Sequence, residues 1–326
     1  MGALKRKKRR KNHNKGGISL AEALADRNSS VVHLTHNDLD AIGADAIHRI
    51  KYGEIFTIFT SVGKFHKNFN TVAGVKGKGD LLSITDLGYK DRIEDTCARA
   101  RSNGWKIEWR DHHRWTPEEI ERVQKKVDLL VVDTETCGCG IAARDLLPGD
   151  KQAAELAGVV CDYDLWKHED PRSAIVGQVS CKFEYREYLR DNFVQGVIIN
   201  EKIEEIYHQI KAEMDEQIRS SMKRTKILEG RYRIAFAPLY GYPSETAAAI
   251  RDNMDTDIEV IVSGNGRFSI RSKQPVSHLI AKQFGGGGHP NASGGTFPFG
   301  TLDRIIFRLL KRSRFYRKFV EVSETI

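Results

Sequence analysis

The sequence lacks any apolar run approaching the ~20 residues that a membrane-crossing helix needs. No apolar stretch follows the basic N-terminus either, so a secretory signal is not expected. Met1-Gly2 is followed at position 6 by Arg6, where myristoylation wants Ser or Thr. Cysteine is scarce: five residues, odd in number and scattered through a chain too large to depend on disulfides, which fits a reducing cytoplasm. Charge of one sign is also missing from the body of the chain. The net +8 comes from 52 Lys and Arg against 44 Asp and Glu, and residues 1–15 hold eight bases and no acid. The remainder is therefore balanced, which excludes a protein coated in positive charge and leaves a single basic arm.

At 326 residues the chain exceeds what one core usually serves, and two domains are expected. Residues 1–17, with Lys5-Arg6-Lys7-Lys8-Arg9-Arg10-Lys11, read as a disordered arm. Such an arm binds phosphates without sequence preference, serves as an import signal in a eukaryote, or only solubilises the chain. Ser19 to Arg27 reads as a short helix, with Leu20, Ala23 and Leu24 at helical spacing.

From Val31 onward strands and helices alternate. Strands are expected at 31–35, 54–59, 81–85, 106–110 and 129–133, with helices over 44–51, 91–102, 117–125, 141–147 and 151–160. The run Leu129-Leu130-Val131-Val132 has the composition of a strand buried on both faces. The glycine- and lysine-rich passage 61–80 reads as a solvated loop. A long helix over 197–222 carries a packing stripe and makes a connector. Beyond it, strands at 231–237, 257–263 and 266–271 and helices at 245–254, 276–283 and 303–312 form a smaller unit. The expected fold is α/β in two domains: a basic tail and short helix (1–30), a mainly parallel-sheet domain (31–195), a helical connector (196–226) and a C-terminal α/β domain (227–326).

Chemistry gathers where strands end. The first runs into His36-Asn37-Asp38-Leu39-Asp40, the third into Asp86, and the fourth into Asp111-His112-His113. In a parallel sheet, ligands bind beyond the carboxyl ends of the strands. If these strands are neighbours, their acids crowd on one rim and repel each other unless a cation sits among them. Mixed carboxylate and imidazole donors suit divalent metals, and this many suit a pair. Taken alone, Asp-His-His could be a surface turn ahead of the helix signalled by Thr116-Pro117. One of the acids in Cys161-Asp162-Tyr163-Asp164 is a further candidate ligand. Cys137-Gly138-Cys139 is a poor zinc signature without a second pair, and reads as small residues packing where a helix starts. Further on, Gly285-Gly286-Gly287-Gly288-His289 combines a backbone open to close approach with an imidazole, which suits an anion. Arg271, at a strand end, offers a charge-assisted contact to the same anion.

Taken together, Thr35-His36-Asn37-Asp38-Leu39-Asp40-Ala41, Asp86, Asp111-His112-His113, Asp162-Tyr163-Asp164 and Gly285 to Gly294 resemble the motifs of the DHH phosphoesterases that carry a glycine-rich C-terminal domain. The resemblance covers about residues 30–300 and rests on the order and spacing of the motifs, since each is short. The chain departs from the family pattern in having Ala292-Ser293-Gly294 where Ala-Ala-Gly is frequent. The resemblance implies two Mn²⁺ ions, with Mg²⁺ or Co²⁺ as substitutes. His36 and Asp38 would hold one, Asp40 and His112 the other, with Asp86 between them and Asp162 preferred over Asp164 to complete the second site. By the same resemblance Asp111 orients its histidine neighbour and His113 faces the phosphate, these two being the catalytic pair. Arg271, Gly286, Gly287, Gly288 and His289 would hold another phosphate of the substrate.

The expected activity is manganese-dependent hydrolysis of short oligonucleotides or linear dinucleotides to mononucleotides, in the cytoplasm, with no membrane partner and with a homodimer allowed. The chain's length leaves no room for the extra domains of a processive exonuclease, which favours short substrates. The basic arm supports the alternative, a single-strand exonuclease acting on longer DNA or RNA. A nucleic-acid-binding protein without turnover is the third reading; the intact set of acids and imidazoles argues against it.

Overall fold

The computed structural model describes residues 18–326, so the basic arm read at 1–17 lies outside the described residues. The fold consists of two units, one running to Lys167 with Phe193–Gly196, the other made of His168–Asn192 and Val197–Ile326. The expected boundary at 195 thus shifts: residues 168–192 contact the second unit. Helix Glu201–Met222 also belongs to that unit, rather than standing alone as a connector. Its buried Ile203, Ile206, Ile210 and Met214 are a packing stripe, as their spacing predicts.

The first unit is built on five parallel strands, β1 (Val31–Thr35), β2 (Phe56–Phe59), β3 (Leu81–Thr85), β4 (Lys106–Asp111) and β5 (Leu129–Val132), in the order β2-β1-β3-β4-β5. Strands β1, β3 and β4 are adjacent and in register, Thr35 beside Thr85 and Thr85 beside Arg110. Their carboxyl ends therefore deliver the candidate residues to one rim, the condition that the sequence left open. The apolar β5 is the outermost strand and only half-buried, not covered on both faces. An apolar run cannot by itself distinguish an edge from a centre.

One core of this unit packs Phe65 and Phe69 edge-on to Trp109, at 5.7 and 6.1 Å between ring centres, with Leu82, Ile84 and Ile107 around them. Phe65 and Phe69 lie in helix Phe65–Gly74, where the sequence suggested a solvated loop. Its buried positions 65, 69, 72 and 73 follow helical spacing, but the neighbouring glycines and lysines hide the period. The other face of β1 is polar and fully buried. His33 Nδ1 meets Asp45 Oδ1 at 2.9 Å, and His33 Nε2 meets Thr85 Oγ1 at 2.8 Å. Thr85 donates in turn to Thr35 Oγ1 at 2.8 Å. His48 stacks on His33 at 4.1 Å and reaches Ser83 Oγ at 2.8 Å. This network ends one residue short of both His36 and Asp86, and because its groups are mutually satisfied it holds those two strand ends in place.

The second unit has a mixed six-stranded sheet. Its strands are β6 (Lys226–Glu229), β7 (Arg233–Pro238), β8 (Ile258–Val262), β9 (Arg267–Ser272), β10 (Gly287–Gly288) and β11 (Ala292–Thr296), in the order β10-β11-β9-β8-β7-β6. Phe236, Phe268, Phe297 and Phe319 fill its core. Where cysteine usage suggested a reducing environment, Cys137 and Cys161 form a disulfide, while Cys97, Cys139 and Cys181 keep their thiols.

Candidate metal centre

The turn after β1 places its donors by local rules. Asp38 is the N-cap of helix Leu39–Tyr52, its carboxylate accepting the Ala41 N–H at 3.2 Å. His36 Nδ1 lies 2.6 Å from Asp38 Oδ2 and 3.5 Å from Asp86 Oδ2. Asp86 directly follows β3 in the left-handed region, φ 53°, a conformation that a non-glycine residue adopts only when its surroundings impose it. His112 Nε2 lies 3.2 Å from Asp86 Oδ1, 3.8 Å from Asp40 Oδ2 and 3.7 Å from Asp164 Oδ2. Three sets of potential ligand atoms result, each within 4.8 Å: His36, Asp38 and Asp86; Asp40, His112 and Asp164; and Asp86, His112 and His113. Asp86 and His112 are each shared by two sets, so the sets form one continuous centre.

Asp164, rather than the preferred Asp162, joins this centre. The helix that the sequence ended at 160 runs on from Lys151 to Asp164. Residues two apart on a helix point about 200° away from each other, so the two acids cannot face the same way. Asp162 is buried within the unit but belongs to none of the three sets.

Electrostatics bear on what the centre can hold. Burial pushes the carboxyls of Asp86 and Asp164 well above the usual range, and the charge on Asp40 pushes both further. Asp40 is raised by burial as well. At His36 burial works against charging, but the hydrogen bond to Asp38 and the charges of Asp38 and Asp86 override it and lift the imidazole to about 11. Asp86 Oδ2 and Asp164 Oδ2 are buried and make no hydrogen bond. Unpaired buried carboxylate oxygens are costly in a native interior and are satisfied by a cation. The donor set and these two oxygens fit divalent metal.

Asp111 has a different task. It is buried and accepts from His113 Nδ1 at 2.8 Å and from Trp115 Nε1 at 2.7 Å, so it orients His113. Burial would raise the Asp111 carboxyl, but these bonds hold it below its usual value; Asp111 in turn raises His113 against its own burial. Sequence reasoning missed Gly138 and Cys139, whose N–H groups donate to Asp40 Oδ2 and Oδ1 at 2.8 and 2.6 Å from the start of helix Gly138–Leu146. A glycine opening a helix just after a strand was the available signal. The small-residue reading of this segment fits the buried Cys139, although the helix starts three residues earlier than expected.

The second anion candidate lies in the second unit. The glycine run is not an open loop: Gly287 and Gly288 form β10, paired with Gly294 and Ser293 of β11. A side chain on Gly286 would meet the Gly294 carbonyl oxygen at 1.9 Å, so this glycine serves hairpin closure, whereas Gly287 has open space beside it. His289 exchanges backbone hydrogen bonds with Ala292, and Ala292 pairs with Arg271 across the sheet. Arg271 and His289 are therefore two strand positions apart. Arg271 is held by Ser244 Oγ at 2.7 Å and by the Ile270 carbonyl at 2.9 Å. Ser293 donates to the His289 carbonyl at 2.6 Å, which gives this departure from the family pattern a packing role.

No family model matches the chain. Among curated proteins it is similar to the oligoribonuclease NrnB of Bacillus subtilis (strain 168), 26% identical over 293 aligned residues, covering 80% of this chain and 71% of that enzyme. Among solved structures, RecJ of Thermus thermophilus in complex with Mn²⁺ has the same fold: TM-score 0.57 and 13% identity over 90% of this chain and 52% of RecJ. So does the pGpG-specific phosphodiesterase PggH of Vibrio cholerae, with TM-score 0.51 and 10% identity over 86% of this chain and 98% of that one. With its motifs in order and their side chains assembled on one rim, the chain resembles the DHH phosphoesterases, and its likeness to an oligoribonuclease supports that resemblance.

Proposed function

We propose that the protein hydrolyses short oligonucleotides or linear dinucleotides to mononucleotides, using two Mn²⁺ ions. The observation that carries this reading is the pair of ligand sets, His36-Asp38-Asp86 and Asp40-His112-Asp164, brought within reach of each other by the shared contacts of Asp86 and His112. The similarity to an oligoribonuclease supports a short nucleic acid as substrate. Two divalent cations supply a Lewis acid for the phosphoryl oxygens and a nucleophilic water at neutral pH.

The chain's own groups do the rest. His36, Asp38 and Asp86 would hold one cation, and Asp40, His112 and Asp164 the other. Gly138 and Cys139 fix Asp40 from behind. Asp111 holds the proton on His113 Nδ1 and raises the pKa of the imidazole, which aims Nε2 to donate to a phosphate oxygen as negative charge builds there. The guanidinium of Arg271 and the imidazole of His289 bind a second phosphate or the terminal nucleotide.

The test is a product time course with purified protein, Mn²⁺, and 5'-labelled RNA and DNA from dinucleotides to long single strands. Rapid turnover confined to the shortest species is expected. Laddering of long strands assigns a single-strand exonuclease instead, and salt-sensitive binding without cleavage at any length rejects the enzymatic reading.

A further inference from the structure

Helix Thr301–Leu310 is fastened to the second unit by one buried side chain, Phe307, which packs on Phe299 at 5.5 Å. The rest of its apolar surface faces outward. Leu302, Ile305, Ile306, Leu309 and Leu310 follow the i, i+3, i+4, i+7, i+8 spacing of a single stripe and are 69%, 51%, 38%, 75% and 65% exposed. A contiguous aliphatic stripe of this kind marks an interaction surface.

Its surroundings are strongly basic. Residues 304–318 contain seven Lys or Arg and no Asp or Glu. Arg304, Arg308, Arg312, Arg317 and Lys318 are exposed. The helix's one acid, Asp303, is turned to Arg314 Nε at 3.0 Å and to the Gly300 N–H at 3.0 Å.

This charge decides among occupants. A second copy of the chain would set cations against the same cations, since a two-fold interface pairs a patch with itself. A nucleic acid would satisfy the cations but not the stripe, because single strands are held by aromatic stacking and the five exposed residues are aliphatic. Aliphatic side chains bordered by Arg and Lys match the boundary between lipid headgroups and acyl chains. We propose that this face of the second unit rests on an anionic bilayer surface, with the stripe in the acyl boundary and the cations on lipid phosphates. Ten residues of helix measure about 15 Å, too short to cross the ~30 Å hydrocarbon core, so the helix lies flat. The sequence suggested no membrane partner because a stripe of five residues leaves no long apolar run.

The proposal is independent of the assignment of substrate. Its test is flotation of the full-length protein with vesicles of phosphatidylcholine, with or without phosphatidylglycerol. We expect the wild type to float with the anionic vesicles at least about tenfold more than with the neutral ones. We expect Ile305→Asp/Leu309→Asp to lose flotation while keeping its circular dichroism and its hydrolytic activity. Should that variant misfold, the milder Leu302→Gln/Leu309→Gln pair takes its place. Absence of wild-type flotation overturns the proposal, and so does undiminished flotation of a folded variant, because the basic arm would then account for binding. Self-association in the absence of vesicles, abolished by the same substitutions, assigns the face to a second copy and also overturns it. Loss of RNA binding by the variant while the wild type ignores vesicles overturns it in favour of nucleic acid.

Discussion

Gly138 and Asp40 touch backbone to carboxylate: the Gly138 N–H donates to Asp40 Oδ2 at 2.8 Å, and a β-carbon built on Gly138 would stand 2.8 Å from that same oxygen. The same β-carbon would lie 3.2 Å from the β-carbon of Asp86. One methyl group therefore presses on two ligands at once, and neither can retreat, since both are buried. We expect Gly138→Ala to fold but to bind metal about 10–100-fold more weakly, as when the outer hydrogen-bond partners of ligands are lost. Calorimetric titration with Mn²⁺ measures this directly. Wild-type affinity and stoichiometry in the variant would show that Asp40 does not depend on this contact.

Asp164 and Asp162 make a paired comparison. Asp164→Asn should remove one ligand of the Asp40-His112 set and lower turnover by about 100-fold or more, with a drop in bound metal. Asp162→Asn should leave turnover within the same order of magnitude, any cost falling on thermal stability because the residue is buried. The opposite ranking in turnover and metal content would return the ligand role to Asp162.

Metal binding should release protons. Asp86 and Asp164 have raised pKa values and His36 is lifted to about 11, so protons hold some of these positions in the metal-free chain. A cation must displace them, and affinity should fall as pH falls. Titration at about pH 6 and about pH 8 in buffers of different ionisation enthalpy should show tighter binding and fewer protons released at the higher pH. Affinity independent of pH would contradict the electrostatics described here. The metal-free fold has a matching signature. Carboxyls raised on folding bind more protons in the native than in the unfolded state, so their contribution to stability declines as pH rises from the ordinary carboxylate range toward the raised values. His36 acts in the same direction over a higher window: its contribution is complete below the unfolded imidazole value and is lost as pH rises from there through about 11.

The disulfide predicts a thiol count. Of five cysteines, three should react in the denatured, unreduced protein, namely Cys97, Cys139 and Cys181. Replacing both Cys137 and Cys161 with serine releases a constraint across 24 residues and should cost about 3 kcal/mol of stability. Five reactive thiols in protein purified without reductant would show that the bridge does not form.

The sheet of the first unit was legible because its strands are short apolar runs separated by helices, and the rim because acids and imidazoles follow three of those runs. Asp164 was not decidable, since choosing it requires the direction of a helix face, and a helix end known to within four residues spans more than a full turn. Helix Phe65–Gly74 was hidden by composition: four buried positions carry its period, and lysine and glycine dominate the passage around them. The network of His33, Asp45 and Thr85 was invisible because polar residues in a strand read as exposed until their partners, 12 and 52 residues away, are in place. The glycine run was read for what it could bind, whereas Gly286 is fixed first by what it must avoid.

The ligands are collected from His36 at one end of the first unit's sequence to Asp164 at the other. That spread sets an order in time. A chain emerging from the ribosome makes β1 early, but β1 is an interior strand, and its second partner β3 and the neighbouring β4 arrive tens of residues later. Until the helix ending at Asp164 has docked, only part of the ligand set exists. If these residues hold an ion, it would meet a complete site only once the rim is finished, and so would lock the sheet after it forms rather than template it. Its binding energy then adds to the native state alone by mass action, as a clasp joining residues far apart in the chain. On the proposed two-metal reading, protein made without the ion should be folded, inactive and less stable, and should recover on addition of Mn²⁺.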